Sequence, residues 1–354
     1  MTEISSQALL NQLSDYEGFY VHQDSKVGLF AIIALHSTRR GPAIGGCRCV
    51  AYETITHAAQ DALKLGKAMS LKSAFSELPT GGGKAVIMHP GHIEDREAFF
   101  KSFAQFVNQL EGRYYTSVDS GTTQEDLDII AKYTPYIAAD VPPNTPIEKT
   151  ASWLTAETVF YALQAVLEHT LKKDTFNQVH IAIQGVGKVG GVLAKHLLDC
   201  GAQLTISDIN TTLTDQIHNL APDRVTVVDN DQILTTSCDI LAPCALGGVI
   251  HTNNVDTLNT KAVCGAANNP LESQTIADRL KARGIDYVPD FVANAGGVIL
   301  ASMKLNNHKP SQWSEKATEI QARTKEILTI ANERNISPLT VANELAEQRL
   351  YQAN

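Results

Sequence analysis

Residues 179–184, Val-His-Ile-Ala-Ile-Gln, form a short apolar run that ends abruptly in Gly185-Val186-Gly187-Lys188-Val189-Gly190, after which apolar residues recur at helical spacing to about Cys200. A second run, Leu-Thr-Ile-Ser-Asp at 204–208, closes on an acid eighteen residues beyond Gly190. Gly-x-Gly-x-x-Gly alone is a weak pattern. Between a strand and a helix, with an acid ending the next strand, it becomes a dinucleotide-binding fingerprint. The glycines let a pyrophosphate reach the helix N-terminus, where unpaired N–H groups favour anions, and Asp208 can accept hydrogen bonds from a ribose. Further strand-like runs at 226–228, 239–242, 262–265 and 287–290 alternate with helical stretches. That alternation is what a parallel sheet requires, so the fold class expected is α/β.

The length of 354 residues suits two domains. The first half reads as strands at 19–23 and 29–36, a glycine-rich turn at 41–48, and a helix capped by Thr56 whose Ala58, Ala62, Leu65 and Met69 share a face and whose far end carries Lys72. After a strand following Lys84 comes a helix with Phe99, Phe103, Phe106 and Leu110 on one face, stopped by Gly112. A strand at 113–118 then ends in Asp119, and Thr123 caps the next helix. Pro135, Pro142, Pro143 and Pro146 cluster without periodicity and mark a linker. The expected division is 1–146 and a Rossmann-type domain at 147–334 with a cleft between them, and a last helix at 335–354 packing back on the first domain.

A net charge of −9 argues against nucleic acid or an anionic membrane as the main partner. The opening Met-Thr-Glu-Ile-Ser-Ser has no basic region or long apolar run, so a secretory signal is not expected and the cytoplasm is the expected compartment. The six cysteines are too sparse for a disulfide framework, and no spacing suggests a metal site. His89 and His92 flank a turn.

Two lysines stand out. Lys72 ends the first helix, and Lys84 follows Gly81-Gly82-Gly83 twelve residues later. A nucleotide P-loop would need glycine at Leu78 and Ser or Thr at Ala85, so that reading fails. Glycines permit close approach of a ligand or positive φ, and a lysine held there beside a second cation, away from water, loses its proton near neutral pH. Asp119, at a strand end before a Gly turn, is a candidate acid, although turn and cap aspartates are common.

Taken together the motifs resemble those of the glutamate, leucine, phenylalanine and valine dehydrogenase family, most closely its leucine branch. They are Gly-Pro-Ala-Ile-Gly-Gly at 41–46, Met-Ser-Leu-Lys at 69–72, Gly-Gly-Gly-Lys at 81–84, Asp119 with Gly-Thr-Thr at 121–123, the fingerprint at 185–190, Ala-Pro-Cys-Ala-Leu-Gly-Gly at 242–248, Gly-Ala-Ala-Asn-Asn at 265–269 and Asn-Ala-Gly-Gly at 294–297. The resemblance implies NAD-dependent oxidative deamination of an L-amino acid to the 2-oxo acid and ammonia. It implies that Lys72 holds the substrate carboxylate with backbone at Gly45 and Gly46, that Lys84 is the general base and that Asp119 relays protons to the amine. Thr155, Asn268 and Asn294 would hold the nicotinamide end and the substrate, and Gly185, Val186, Gly187, Lys188, Val189, Gly190 and Asp208 the rest of the dinucleotide. It also implies a homo-oligomer built through the first domain, octameric by analogy with the leucine branch.

The pocket for the substrate side chain maps in the family onto Ile44, Ser117, Val298 and Ala301. The glutamate branch carries a lysine at the position of Ile44, so a branched-chain aliphatic substrate is expected and glutamate is not. The small Ala301 leaves an aromatic substrate open. Cys47, Cys49, His89 and Trp153 depart from the family pattern. A catalytically silent NAD-binding regulator would keep the fingerprint but would not need Lys72, Lys84 and Asp119 together.

Overall fold

The computed structural model describes residues 11–138 and 145–352, so Pro142 and Pro143 of the expected linker lie outside the described residues. Two units result. The described residues of Met1–Asn144, Ala301–His308 and Ala346–Asn354 make the first, and Thr145–Leu300 with Lys309–Leu345 the second. The expected boundaries need correction: 301–308 go with the first unit, and the return to it begins at Ala346 rather than 335.

The strands of the first unit are β1 (Gly18–Asp24), β2 (Leu29–Ser37), β3 (Ala43–Val50), β4 (Gly81–Met88) and β5 (Tyr114–Val118), ordered β1-β2-β4-β3-β5. β3 runs parallel to both β4 and β5, whereas β2 is antiparallel to β1 and β4. Three helices accompany the sheet: α1 (Ile55–Phe75), α2 (Arg96–Asn108) and α3 (Gln124–Ala131). Strand residues alternate between faces, and the two faces differ. Ala43, Cys47 and Cys49 of β3 and Ala85 and Ile87 of β4 pack with Phe99, Phe100, Phe103 and Phe106 of α2. Burying each of these rings contributes roughly 1.5–3 kcal/mol. On the other face Ile32, Ala34 and Val86 meet Ala58, Ala59, Ala62 and Leu63 of α1.

Three local expectations are revised. Residues 43–48 are strand, not turn; the turning is done by Gly41 at φ +129°. Thr54, not Thr56, caps α1, its side chain accepting from the His57 N–H. Gly81, Gly82 and Gly83 lie inside β4 without positive φ. Their service is packing, because a Cβ on Gly82 would overlap the Ser70 backbone of α1 and one on Gly45 the Gly83 carbonyl.

The second unit begins with a 3-10 turn (Ile147–Lys149) and α4 (Ala151–His169). Then follow β6 (His180–Gln184), α5 (Gly190–Asp199), β7 (Gln203–Ser207), α6 (Thr211–His218), β8 (Val225–Val227), β9 (Ile240–Pro243), β10 (Ala262–Val263), α7 (Gln274–Ala282) and β11 (Asp286–Tyr287). The sheet order is β11-β10-β9-β6-β7-β8, with every pair parallel. Counted from β6 this is the 3-2-1-4-5-6 order of the doubly wound fold, and the strand order reverses between β6 and β9. The ends of those two strands therefore form the crevice in which such folds bind nucleotides. After β11 come α8 (Asp290–Ala293), α9 (Gly296–Leu305), α10 (Pro310–Arg334) and α11 (Pro338–Tyr351). Among the described residues no helix is long and apolar enough to cross a membrane.

Candidate active site

In the first unit strand alternation puts Ile44, Gly46 and Arg48 of β3 on the face that Lys84 of β4 shares with α1, and Ser117 of β5 stands beside Gly46 in register. Just past β5, the Asp119 carboxylate is paired with the Lys84 ammonium. Lys84 is 6% exposed. Burial pushes its pKa down to about 7, and the Arg48 guanidinium and the Lys72 ammonium push in the same direction. Contact with the Asp119 carboxylate opposes that fall. The other Asp119 oxygen accepts from the Ser120 N–H at 2.6 Å, and the Thr122 hydroxyl accepts from the Asp119 N–H at 2.9 Å. A Cβ on Gly46 would stand 2.8 Å from that of Asp119, so glycine is what lets the carboxylate settle over β3.

Sequence reasoning missed a charged cluster behind this pair. Arg48 Nη1 donates to Asp61 Oδ2 at 2.9 Å, the Tyr52 hydroxyl donates to the same oxygen at 2.6 Å, and Arg48 Nε lies 3.7 Å from Asp119 Oδ2. A signal existed. Arg48 stands two strand positions after Gly46, and Asp61 and Lys72 are eleven residues apart on α1, three turns and hence one stripe.

Ile44 and Ala301, 1% and 4% exposed, pack with Ala138, flanked by Tyr115 and Leu305. Val298, also on α9, stands one turn before Ala301. Of the expected pocket residues, Ile44 and Ala301 are thus in one cluster, and Ser117 is half-buried on the same sheet face as Ile44.

In the second unit, Gly185 (φ +91°) ends β6, and a Cβ there would come within 2.8 Å of that of Ala245 beyond β9. A Cβ on Gly190 would overlap the Gly185 carbonyl. At exposed Gly187, by contrast, no protein atom lies within 4 Å of where a Cβ would stand. No side chain caps α5, whose N-cap is Val189; the Gly191 N–H donates to the Gly187 carbonyl at 2.8 Å, and the positive end of the helix dipole favours an anion ahead of it. Val186 is buried, Lys188 exposed, and Asp208 receives the Val186 and Asn210 N–H groups at 2.9 Å each. Those bonds fix the acid against the fingerprint loop. Asn294 donates to Ala266 O at 3.1 Å and to the side chain of exposed Asn268 at 2.9 Å, and Thr155 donates its hydroxyl proton to Ala151 O. Trp153 turns its ring edge-on to His196 of α5, 4.9 Å away. These residues fit a dinucleotide: an uncapped helix end, a glycine with open space and an oriented carboxylate beside them.

The family described as "Glu/Leu/Phe/Val dehydrogenase, dimerisation domain" matches residues 19–136, and that described as "Glutamate/Leucine/Phenylalanine/Valine dehydrogenase" matches 214–354. Leucine dehydrogenase of Bacillus subtilis is 37% identical over 337 residues, which is 95% of this chain and 92% of the relative. The chain belongs to the glutamate, leucine, phenylalanine and valine dehydrogenase family. It is an amino-acid dehydrogenase, an oxidoreductase that deaminates its substrate oxidatively. Valine dehydrogenase of Streptomyces coelicolor is 38% identical over 340 residues, 96% of this chain and 93% of that one. The crystal structure of L-tryptophan dehydrogenase from Nostoc punctiforme superposes with a TM-score of 0.86 at 30% identity, covering 98% of both chains. The family bears on the regulator alternative as well: Lys72, Lys84 and Asp119 are all present, and a silent binder has no use for the set.

Proposed function

We propose that this dehydrogenase oxidises branched-chain aliphatic L-amino acids with NAD, through Lys84 as general base, Asp119 as proton relay and Lys72 as carboxylate anchor. The observation that carries the assignment of roles is a buried lysine in contact with an aspartate, on a sheet face whose neighbouring side chain is Ile44. When bound, the nicotinamide accepts the hydride from the substrate α-carbon. The chain's own groups do the remainder. Lys84, neutral above a pH of about 7, takes a proton from the water that adds to the resulting iminium carbon. Asp119, which first takes a proton from the substrate ammonium so that hydride can leave, returns it to the amine of the carbinolamine; the C–N bond then breaks, and the hydroxyl proton goes with the departing ammonia as the C=O of the 2-oxo acid forms. Lys72 and the backbone at Gly45 and Gly46 hold the α-carboxylate, and Asn268, Asn294 and Thr155 the nicotinamide end and the substrate.

Aliphatic preference rests on Ile44 and its cluster. A substrate carboxylate set against Ile44 and Ala301 would be buried without a partner, at a cost of several kcal/mol, roughly a thousandfold or more in selectivity. A second reading, an aromatic substrate, is favoured by the small Ala301 and the Tyr115 and Leu305 flank; packing differences of this kind discriminate by only about 1–3 kcal/mol. NAD over NADP follows from Asp208, whose carboxylate would face the 2′-phosphate, with Ile209 and Asn210 offering no cation. We propose too that the enzyme works in the cytoplasm as a homo-oligomer, an octamer by the leucine-branch analogy, assembled through the first unit. The experiment is a panel of L-amino acids with NAD⁺ or NADP⁺, read as absorbance of the reduced dinucleotide. Leucine, valine and isoleucine should lead with NAD⁺. A lead for glutamate would overturn the Ile44 argument, and one for phenylalanine or tryptophan would install the second reading.

A further inference from the structure

Arg48 joins the Lys84–Asp119 pair to Asp61 in the interior of α1. Its Nη1 is committed to Asp61, which also receives the Tyr52 hydroxyl, while its Nε is buried without a hydrogen-bond partner among the described residues and lies 3.7 Å from Asp119 Oδ2. That same oxygen carries the Lys84 contact. A general base must be neutral to act, and when Lys84 is neutral the half-buried Asp119 carboxylate loses its ion-pair partner. A carboxylate stranded in such a site takes up a proton or turns away. We propose that Arg48 is a positioning residue for the reaction, its guanidinium fixed between Asp61 and Asp119 so that the Asp119 carboxylate keeps a cation beside it while Lys84 is neutral.

Asp61 and Tyr52 are what make this a fixed arrangement. An arginine free to swing would fold onto Lys84's partner and compete for it, whereas a fork tied at Nη1 leaves Nε facing Asp119 at slightly more than bonding distance. The charged groups around the pair are Lys72 and Asp61 from α1 and Arg48 from β3, and Ser120 beyond β5 donates to Asp119. Of these, Arg48 and Lys72 favour the neutral amine of Lys84, and Asp61 its ammonium. Arg48 and Asp61 therefore act with opposite sign, which gives the test its power.

The proposal rests on the functional reading of Lys84 and Asp119, and the experiment separates the two. The pH dependence of kcat/KM for the best amino acid is measured for the parent, Arg48→Gln, Arg48→Lys and Asp61→Asn. Removing the cation should move the acidic limb up by roughly one pH unit, with activity at pH 7 falling about fivefold and recovering in alkali. Arg48→Lys should keep the limb near the parent's, because the charge stays, and lower kcat because an ammonium cannot hold Asp61 and Asp119 together. Asp61→Asn keeps an acceptor for Arg48 and should move the limb down. A merely structural role predicts pH-independent losses in all three. If Arg48→Gln does not fold, the opposite-sign shift in Asp61→Asn still decides. A parent that works while Arg48→Gln or Asp61→Asn keeps the parental limb overturns the proposal alone; a parent that oxidises no amino acid overturns the functional reading and this proposal with it.

Discussion

Lys84 sets how turnover responds to pH. As the proposed general base the group must be neutral, so turnover should rise with pH through about 7, and Lys84→Ala should lower it by roughly a thousandfold or more while binding of the dinucleotide, proposed to lie in the second unit, is retained. Turnover within tenfold of the parent would remove the base assignment. His36 offers a different test, of stability. It is 3% exposed, edge-on to Tyr16, and burial pushes its pKa down to about 4. The unfolded chain binds the proton below the ordinary value near 6.5, so the His36 contribution is intact above that pH and is lost as pH falls toward 4. His36→Phe should therefore gain in Tm relative to the parent progressively from pH 6.5 to 4; a constant difference across that window would count against it. Lys84 and Asp119 could be read from the sequence because each ends a recognisable local pattern. Arg48, Asp61 and Tyr52 could not, since their meaning lies in contacts among a strand, a helix and the loop between them.

Among the elements, the glycines separate fold from function. The Gly81–Gly83 run reads equally well as a ligand-facing loop or as a close-packed strand, because both need the absence of a side chain, and only the placement of α1 against β4 decides for the second. Gly82→Ala should thus destabilise the first unit by about 1–3 kcal/mol through its clash with the Ser70 backbone. Gly187→Ala should leave thermal stability unchanged, having no protein neighbour within 4 Å, and weaken dinucleotide binding instead. Calorimetry with and without NAD⁺ distinguishes them; loss of stability in Gly187→Ala or its absence in Gly82→Ala would refute the assignment. The fingerprint was legible for a related reason. Its three glycines answer to a geometry that depends only on a strand, a turn and a helix adjacent in sequence, as β6 and α5 are.

At the scale of the whole molecule, the chain alternates between units more often than its composition discloses. Nothing in the pattern of α9 or α11 announces a change at Ala301 or Ala346, since both helices keep their apolar periodicity across it. The last segment earns its place in the first unit through Arg349. Its Nη1 donates to the Phe75 carbonyl at 2.9 Å, its guanidinium stands over the Phe75 ring, its own carbonyl accepts from Arg40 at 3.2 Å, and neighbouring Leu350 is 1% exposed. These contacts close the C-terminal end of α1, the helix that carries Lys72 in its last turn. Arg349→Ala should therefore raise the KM for the amino acid and speed hydrogen exchange in the last turns of α1, with roughly 1–3 kcal/mol lost from the bonds to a charged group. The affinity for NAD⁺, proposed to bind the second unit, should not change. Exchange that rises in β6 and α5 as much as in α1, or a fall in NAD⁺ affinity equal to that for the amino acid, would show that the segment serves the whole chain and not the first unit alone.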